Sequence, residues 1–386
     1  MRDFAAELEA RKDAGLYRRR RLVSGPQQPN LTTDGNAVLA FCSNDYLGLA
    51  NDPVVAEALH QALPETGVGG GASHLVCGHH DEHHLLEQAL ADLTKRSAAL
   101  FFSTGYMANL GVITALAGRG DTIFSDRLNH ASIIDGCQLS RAKVRRYPHA
   151  DVAALAELLA TTSGHKLVVT DGVFSMDGDI APLAEMARLC REHDALLVVD
   201  DAHGLGVLGE QGAGTLEQLG LSEDDVPILI GTLGKAVGTS GAFVAGPALL
   251  MDYLVQKART YIYTTAMPPA MARATRAALA LVRSEPQRRA HLQHLIGRFR
   301  AEAQALGYRL MPSETPIQPI EVGDNWAALE LSRELEARGL LVTAIRPPTV
   351  PEGEARLRVT FSAAHTDADL DRLLAGLADC RCFYPG

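Results

Sequence analysis

The chain has 386 residues, 47% of them hydrophobic and 21% charged, the balance of a soluble globular protein with a large core rather than a disordered one. Its 36 basic and 46 acidic side chains leave a formal charge of -10, the wrong sign for affinity built on neutralising nucleic-acid phosphates. No apolar run approaches the roughly 20 residues of a membrane helix; the helix-like stretch 266–282 carries Arg273 and Arg276. The opening Met1-Arg2-Asp3-Phe4 has no apolar signal core, so a cytoplasmic location is expected. Six scattered cysteines without a CxxC pair read as reduced structural thiols.

At roughly 100 to 200 residues per domain, the length suggests two or three units. From residue 98 onward short apolar runs at 98–102, 122–124, 166–170, 195–199, 228–230 and 242–245 alternate with helix-like segments. Runs without polar alternation are buried on both faces, which predicts an α/β fold with a mostly parallel sheet covered by helices. After Ala181, Pro182 is expected in the first turn of a helix whose Leu183, Met186, Ala187 and Cys190 form one stripe. Beyond Pro269 the pattern changes to long helices, a strand at 318–322, a helix at 325–338 and a strand at 356–361. A last helix is capped by Thr366 and Asp369, with Leu370, Leu373, Leu374 and Leu377 on its apolar face. The expected division is an N-terminal helical or extended segment (1–45), a large ligand-binding α/β domain (46–280) and a smaller α+β domain (281–386).

Three stretches carry chemistry. In Gly231-Thr232-Leu233-Gly234-Lys235-Ala236-Val237-Gly238 a single lysine stands among small residues after a buried run. Desolvation favours the neutral amine of such a lysine, which can form an imine with an aldehyde; a lysine pointing into water is the plainer reading. In Val198-Val199-Asp200-Asp201-Ala202-His203 an apolar run ends in an acidic pair at the sheet edge where ligands bind. Alternation points one carboxylate, assigned to Asp200, into the site and leaves Asp201 for a local hydrogen bond or solvent. A buried aspartate there needs a cationic partner, such as the protonated nitrogen of a pyridine ring. Phe101-Phe102-Ser103-Thr104-Gly105-Tyr106 reads as strand, glycine turn and helix start, whose free amides can bind a phosphate.

Together these stretches resemble the pyridoxal-phosphate enzymes of aminotransferase fold type I, and within them the α-oxoamine synthases, which condense an amino acid with an acyl thioester and release carbon dioxide. The resemblance extends through Ser43-Asn44-Asp45-Tyr46-Leu47-Gly48-Leu49, Asp126-Arg127-Leu128-Asn129-His130-Ala131-Ser132, Gly172-Val173-Phe174-Ser175-Met176-Asp177-Gly178-Asp179 and Arg356-Leu357-Arg358. It implies a PLP-dependent transferase of fold type I that uses pyridoxal 5'-phosphate. Lys235 would hold the cofactor and move the α-proton, Asp200 would pair with the pyridine nitrogen, and His130 would stack on the ring. Ser175 and His203 would contact the ring oxygen or its surroundings, and Gly105, Tyr106 and Thr232 the phosphate and ring edge. Asn44 and Arg358 would face the amino-acid carboxylate, and Arg18 and Thr349 the acyl substrate. A homodimer is implied, with the active site at the subunit interface and the glycine-rich 67–71 reaching the neighbour.

Thr343-Ala344-Ile345-Arg346-Pro347-Pro348-Thr349-Val350-Pro351, with the basic run at 18–21, is similar to family members that join L-alanine to a pimeloyl thioester, either pimeloyl-CoA or pimeloyl-acyl carrier protein. Members that use glycine are the alternative. Asp171 stands where the family pattern has glutamate, which retracts the acid by one methylene. Two rivals come from other classes. His79-His80-Asp81-Glu82-His83 matches the HxxEH zinc-peptidase spacing, although a polar helix start is the plainer account; a non-catalytic partner subunit is opposed by Lys235. The 67–71 glycines lack the lysine of a P-loop.

Overall fold

A computed structural model describes residues 2–385; Met1, the first residue of the opening segment considered above, lies outside the described residues. The chain divides into two compact units, one formed by Leu49–Ser175 and Ile180–Arg289, the other by Met1–Gly48, Met176–Asp179 and Ala290–Gly386.

The first unit is built on seven strands: β1 (Ala98–Phe102), β2 (Thr122–Asp126), β3 (Lys143–Tyr147), β4 (Lys166–Asp171), β5 (Ala195–Asp200), β6 (Ile228–Thr232) and β7 (Ala242–Gly246). Their order across the sheet is β1-β7-β6-β5-β4-β2-β3. Every neighbouring pair is parallel except those of β7, which runs antiparallel to both β1 and β6. The six strands expected from apolar runs are present. β3 was hidden because Lys143-Val144-Arg145-Arg146-Tyr147 is an exposed edge, where charged side chains block pairing with other chains.

Leu100, Phe102, Ile123, Val169, Ile230 and Val244 project from one face of the sheet into a cluster with Val112 and Ile133, residues of the helices Gly105–Leu116 and Ala131–Ser140. Each such buried side chain contributes on the order of 1.5–3 kcal/mol. The helix Leu183–Glu192 buries Leu183, Met186, Ala187, Leu189 and Cys190, the stripe read from the sequence. Pro182 sits one place earlier than expected, at the N-cap, where its fixed φ leads into the helix without removing a helical bond.

In the second unit the strands Ile317–Gly323, Ala355–Thr360 and Thr343–Ile345 form an antiparallel sheet with the middle of these at its centre. The strands Val23–Ser24, Asn30–Thr33 and Asn36–Ala40 form a second sheet, joined in parallel by Leu340–Leu341. The last helix, Asp367–Asp379, is closed by a capping box between Thr366 and Asp369 and buries Leu370, Leu373, Leu374 and Leu377. Among the described residues no helix is long and apolar enough to cross a membrane.

Candidate active site

Three of the parallel strands of the first unit, β2, β4 and β5, end in acids. Register pairs Asp171 at the end of β4 with Asp200 at the end of β5, and both are buried. The adjacent carboxylates of β5 diverge. Asp200 Oδ2 accepts from Asn109 Nδ2 at 2.6 Å and its Oδ1 accepts from the amide of Ala202 at 3.0 Å. Asp201 turns the other way: its Oδ2 accepts from the amide of Thr215 at 2.6 Å, and the Thr215 hydroxyl also donates to it. Burial pushes the Asp201 carboxyl up to about 7 against the opposing pull of Thr215. Of the two destinations open to Asp201, the local hydrogen bond is the one it takes, since it is 1% exposed.

His130 caps the helix Ala131–Ser140. Its amide donates to Asp171 Oδ2 at 2.7 Å, and its Nδ1 lies 2.7 Å from the Ser132 hydroxyl, which in turn accepts from Asn109 Nδ2 at 2.9 Å. One edge of the imidazole is therefore pinned while the residue stays open to solvent. Desolvation by the surrounding atoms lowers the pKa of the ring; Asp200 opposes that and Lys235 adds to it. A neutral, edge-fixed imidazole with an accessible face is what stacking on a flat ligand requires. Burial, followed by the charge of Asp200, pushes Asp171 well above the usual carboxylate range.

Lys235 follows β6, and its Nζ lies 2.8 Å from His203 Nε2. Two further Coulombic links tie the cluster, since the charges of both Asp200 and Lys235 act on His130. Lys235, His203, His130 and Asp200 thus form one electrostatic neighbourhood. Beside them, Thr104 caps the helix Gly105–Leu116 by accepting from the amide of Met107, and the first amides of a helix have no partner within it. A Cβ on Gly105 would stand 2.6 Å from Thr232 Cγ2, so only glycine allows this turn to close on the end of β6. Tyr106 is exposed and its hydroxyl donates to Asp135. Ser175 lies in the turn beyond β4.

In the second unit the other expected residues fall into two pairs. Arg358, buried on the strand Ala355–Thr360, directs both terminal nitrogens to Asn44 Oδ1 at 3.3 Å and donates to Thr360 Oγ1 at 3.0 Å. The Arg18 guanidinium meets Thr349 Oγ1 at 3.5 Å, at a cleft of about 570 Å³ that Arg346 also lines. Sequence reasoning missed Asn109, which joins Asp200 to Ser132. Its one signal is its place in Gly105-Tyr106-Met107-Ala108-Asn109, one helical turn after the glycine, where the side chain returns over the start of the helix.

The HxxEH reading loses its frame. The helix begins at Asp81, so His79 precedes it rather than standing one helical turn from His83. Glu82 is buried in ion pairs with Arg273 and Arg276, at 2.7 and 2.8 Å. His83 Nε2 bonds the carbonyl of Met267 at 2.8 Å, while its Nδ1 accepts from the His80 amide at 3.1 Å. The helix start thus buries Glu82 and His83 while Asp81 and His84 stay exposed, so it is in part the solvated polar turn that its composition suggests.

The family model for aminotransferase class I and II matches residues 36–377. The chain belongs to this family. Among curated relatives it is 74% identical over 381 residues to the 8-amino-7-oxononanoate synthase of Marinobacter nauticus, covering 99% of this chain and 97% of that one. It is 63% identical to the enzyme of the same name from Alkalilimnicola ehrlichii, with 96% and 95% covered. Among solved structures, a serine palmitoyltransferase from S. paucimobilis with a bound PLP–myriocin aldimine superposes with a TM-score of 0.93 at 32% identity, over 99% of both chains. The 8-amino-7-oxononanoate synthase of Francisella tularensis gives 0.77 at 32%, over 89% of this chain and 97% of that one. Among the solved structures backbone shape ranks the palmitoyltransferase higher at equal identity, while the two curated oxononanoate synthases are far higher in sequence identity. Identity is the better guide to substrate, because relatives in one fold differ in side chains more than in backbone path.

Proposed function

We propose that the chain is a PLP-dependent acyltransferase that catalyses the reaction of an 8-amino-7-oxononanoate synthase. L-alanine and a pimeloyl thioester, carried by coenzyme A or an acyl carrier protein, would condense to 8-amino-7-oxononanoate, carbon dioxide and the free thiol, a step in biotin synthesis. The observation that carries this reading is 74% identity across 99% of the chain to a relative of that name.

The donor set fits pyridoxal 5'-phosphate: a primary amine for its aldehyde at Lys235, a buried carboxylate for its ring nitrogen at Asp200, and helix-start amides beside Gly105 and Tyr106, with Thr232, for its phosphate. When bound, that cofactor supplies an electron sink for negative charge on the amino acid's α-carbon. Asp200 would hold the ring-nitrogen proton, its own orientation set by Asn109 and Ala202. His130 would lie on the ring face, and Ser175 and His203 near the ring oxygen. Lys235 Nζ would take the α-proton of alanine and return one to the product, with His203 Nε2 at 2.8 Å as its neighbour. Arg358 would grip the alanine carboxylate, steadied by Asn44 and Thr360. Arg18 and Thr349 would receive the acyl substrate.

The family resemblance also supports a homodimer with its active site at the subunit interface, acting in the cytoplasm. The test mixes the purified protein with L-alanine or glycine and a series of acyl thioesters and identifies products by mass. An 8-amino-7-oxononanoate product supports the reading; a product from glycine and a short acyl chain moves it to a sister synthase. Borohydride reduction should fix the cofactor to Lys235.

A further inference from the structure

The histidine-rich segment is the one motif to which the proposed reaction gives no role. Residues 74–84 contain His74, His79, His80, His83 and His84, all in the first unit. His84 and Glu87 stand three apart on the helix Asp81–Thr94 and so share a face. His79, just before that helix, brings Nε2 to 3.9 Å from Glu87 Oε2. Ligand atoms of His79, His84 and Glu87 all lie within 4.8 Å of one another.

These donors are oriented by their neighbours. The amide of Phe101 donates to Glu87 Oε1 at 2.8 Å, which leaves Oε2 directed at the imidazoles. His79 Nδ1 meets His74 Nδ1 at 2.9 Å, and His74 stacks on Tyr261 with ring centroids 4.9 Å apart, so His79 presents its other nitrogen to Glu87. Outer contacts of this kind fix the ring and the free nitrogen of metal-binding histidines. Among the described residues Glu87 is a buried acid with no lysine or arginine among its bonded partners, and a buried carboxylate is costly unless it is paired with a cation or protonated.

We propose that His79, His84 and Glu87 bind a divalent cation of zinc-like chemistry at a site separate from the catalytic residues. Two imidazoles and a carboxylate are a donor set that zinc accepts, with water in the fourth position. Tetrahedral bonds of about 2.0–2.1 Å place donors roughly 3.4 Å apart. The contraction needed is thus little more than an ångström, within reach of the exposed rings of His79 and His84. The set differs from the one the HxxEH spelling names, because Glu82 is held by arginines and both His83 nitrogens are engaged. The cation would clip the segment before the helix to the helix itself.

The experiment strips the holoenzyme with a chelator and titrates it with zinc chloride, calorimetrically and against a chromophoric chelator. The arms are the unaltered chain, His84→Gln, Glu87→Gln and Cys77→Ser. Glutamine at 87 keeps an acceptor for the Phe101 amide, His84 is exposed, and thermal melts confirm that each variant folds. Cys77, exposed in the same segment, controls for zinc held by a thiolate. One zinc per chain is expected, with affinity at least about tenfold weaker in His84→Gln and in Glu87→Gln and unchanged in Cys77→Ser. Failure of the unaltered chain to take up zinc, unchanged affinity in both histidine and glutamate variants, or loss only in Cys77→Ser overturns the proposal. Condensing activity is not the readout, so this result and that of the substrate assay stand apart.

Discussion

Asn109→Ala tests whether Asp200 is held in place by its neighbour. Asn109 is 1% exposed and Asp200 5% exposed, so water cannot replace the lost amide. The substitution deletes a hydrogen bond to a carboxylate at 2.6 Å and one to the Ser132 hydroxyl at 2.9 Å. The first is worth about 1.5–3 kcal/mol and the second about 0.5–1.5 kcal/mol. Ser132 keeps its contact with His130 Nδ1, so the lower half of the second range applies and the total is about 2–4 kcal/mol. Urea unfolding of the cofactor-free protein at neutral pH should show this loss as a lower midpoint. Cofactor affinity, followed by the visible absorbance on titration, should fall as well, because a carboxylate held by the Ala202 amide alone is free to turn from the ring nitrogen. Asn109→Asp should be worse at pH 7 than at pH 5, since it sets a second acid 2.6 Å from Asp200. An Asn109→Ala protein with an unchanged midpoint and unchanged cofactor affinity would refute the reasoning.

Asp201→Asn tests the cost of the buried acid. Burial raises its folded pKa from 3.8 to about 7, so the stability it contributes is complete below the unfolded value and is lost as pH rises through that window. At 1.36 kcal/mol per pH unit the unaltered chain should lose up to about 4 kcal/mol relative to the variant between pH 4 and 8; parallel stability curves would contradict this. Gly214 has φ +101 and a Cβ there would lie 2.0 Å from Asp201 Oδ2, so Gly214→Ala should lower the urea midpoint sharply, by more than the roughly 1–3 kcal/mol of backbone strain alone. Arg358→Ala should raise the alanine KM roughly ten- to hundredfold, the worth of a charged hydrogen bond, and Arg18→Ala should raise the thioester KM instead. The reverse split in steady-state kinetics would exchange the two assignments.

The sheet was legible because its central strands are unbroken apolar runs such as Leu-Val-Val-Thr at 167–170 and Leu-Leu-Val-Val at 196–199, a pattern that burial on both faces enforces. β3 escaped because a charged edge strand carries no such signal, and the pairing of Leu340–Leu341 with Asn36–Ala40 escaped because two residues have no period. Lys235 and Asp200 could be picked out since their chemistry is rare after an apolar strand. Asn109 and Thr215 could not: a polar residue in a helix looks the same in sequence whether it faces water or a buried carboxylate. The HxxEH spelling carried little weight for a related reason. HxxEH has meaning only on a continuous helical turn, and the turn starts two residues too late.

Asp171, where the family resemblance led to an expectation of glutamate, has a structural task of its own. A glutamate would carry its carboxylate one methylene further, whereas Asp171 Oδ2 stops at the amide of His130, 2.7 Å away, and the Asp171 amide donates to Asn129 Oδ1 at 3.0 Å. The acid therefore fastens the backbone that presents His130. Burial, followed by the charge of the adjacent Asp200, raises the Asp171 carboxyl well above the usual carboxylate range. Asp171→Asn keeps an oxygen for the His130 amide. Its cofactor affinity and alanine KM should stay within about threefold, less than 1 kcal/mol. Asp171→Ala removes the acceptor and leaves a buried amide unpaired, at a cost of about 1–3 kcal/mol, so both the urea midpoint and cofactor affinity should fall. If Asp171→Asn instead loses cofactor as severely as Asp171→Ala, the acid works as a charge and not as a latch for His130.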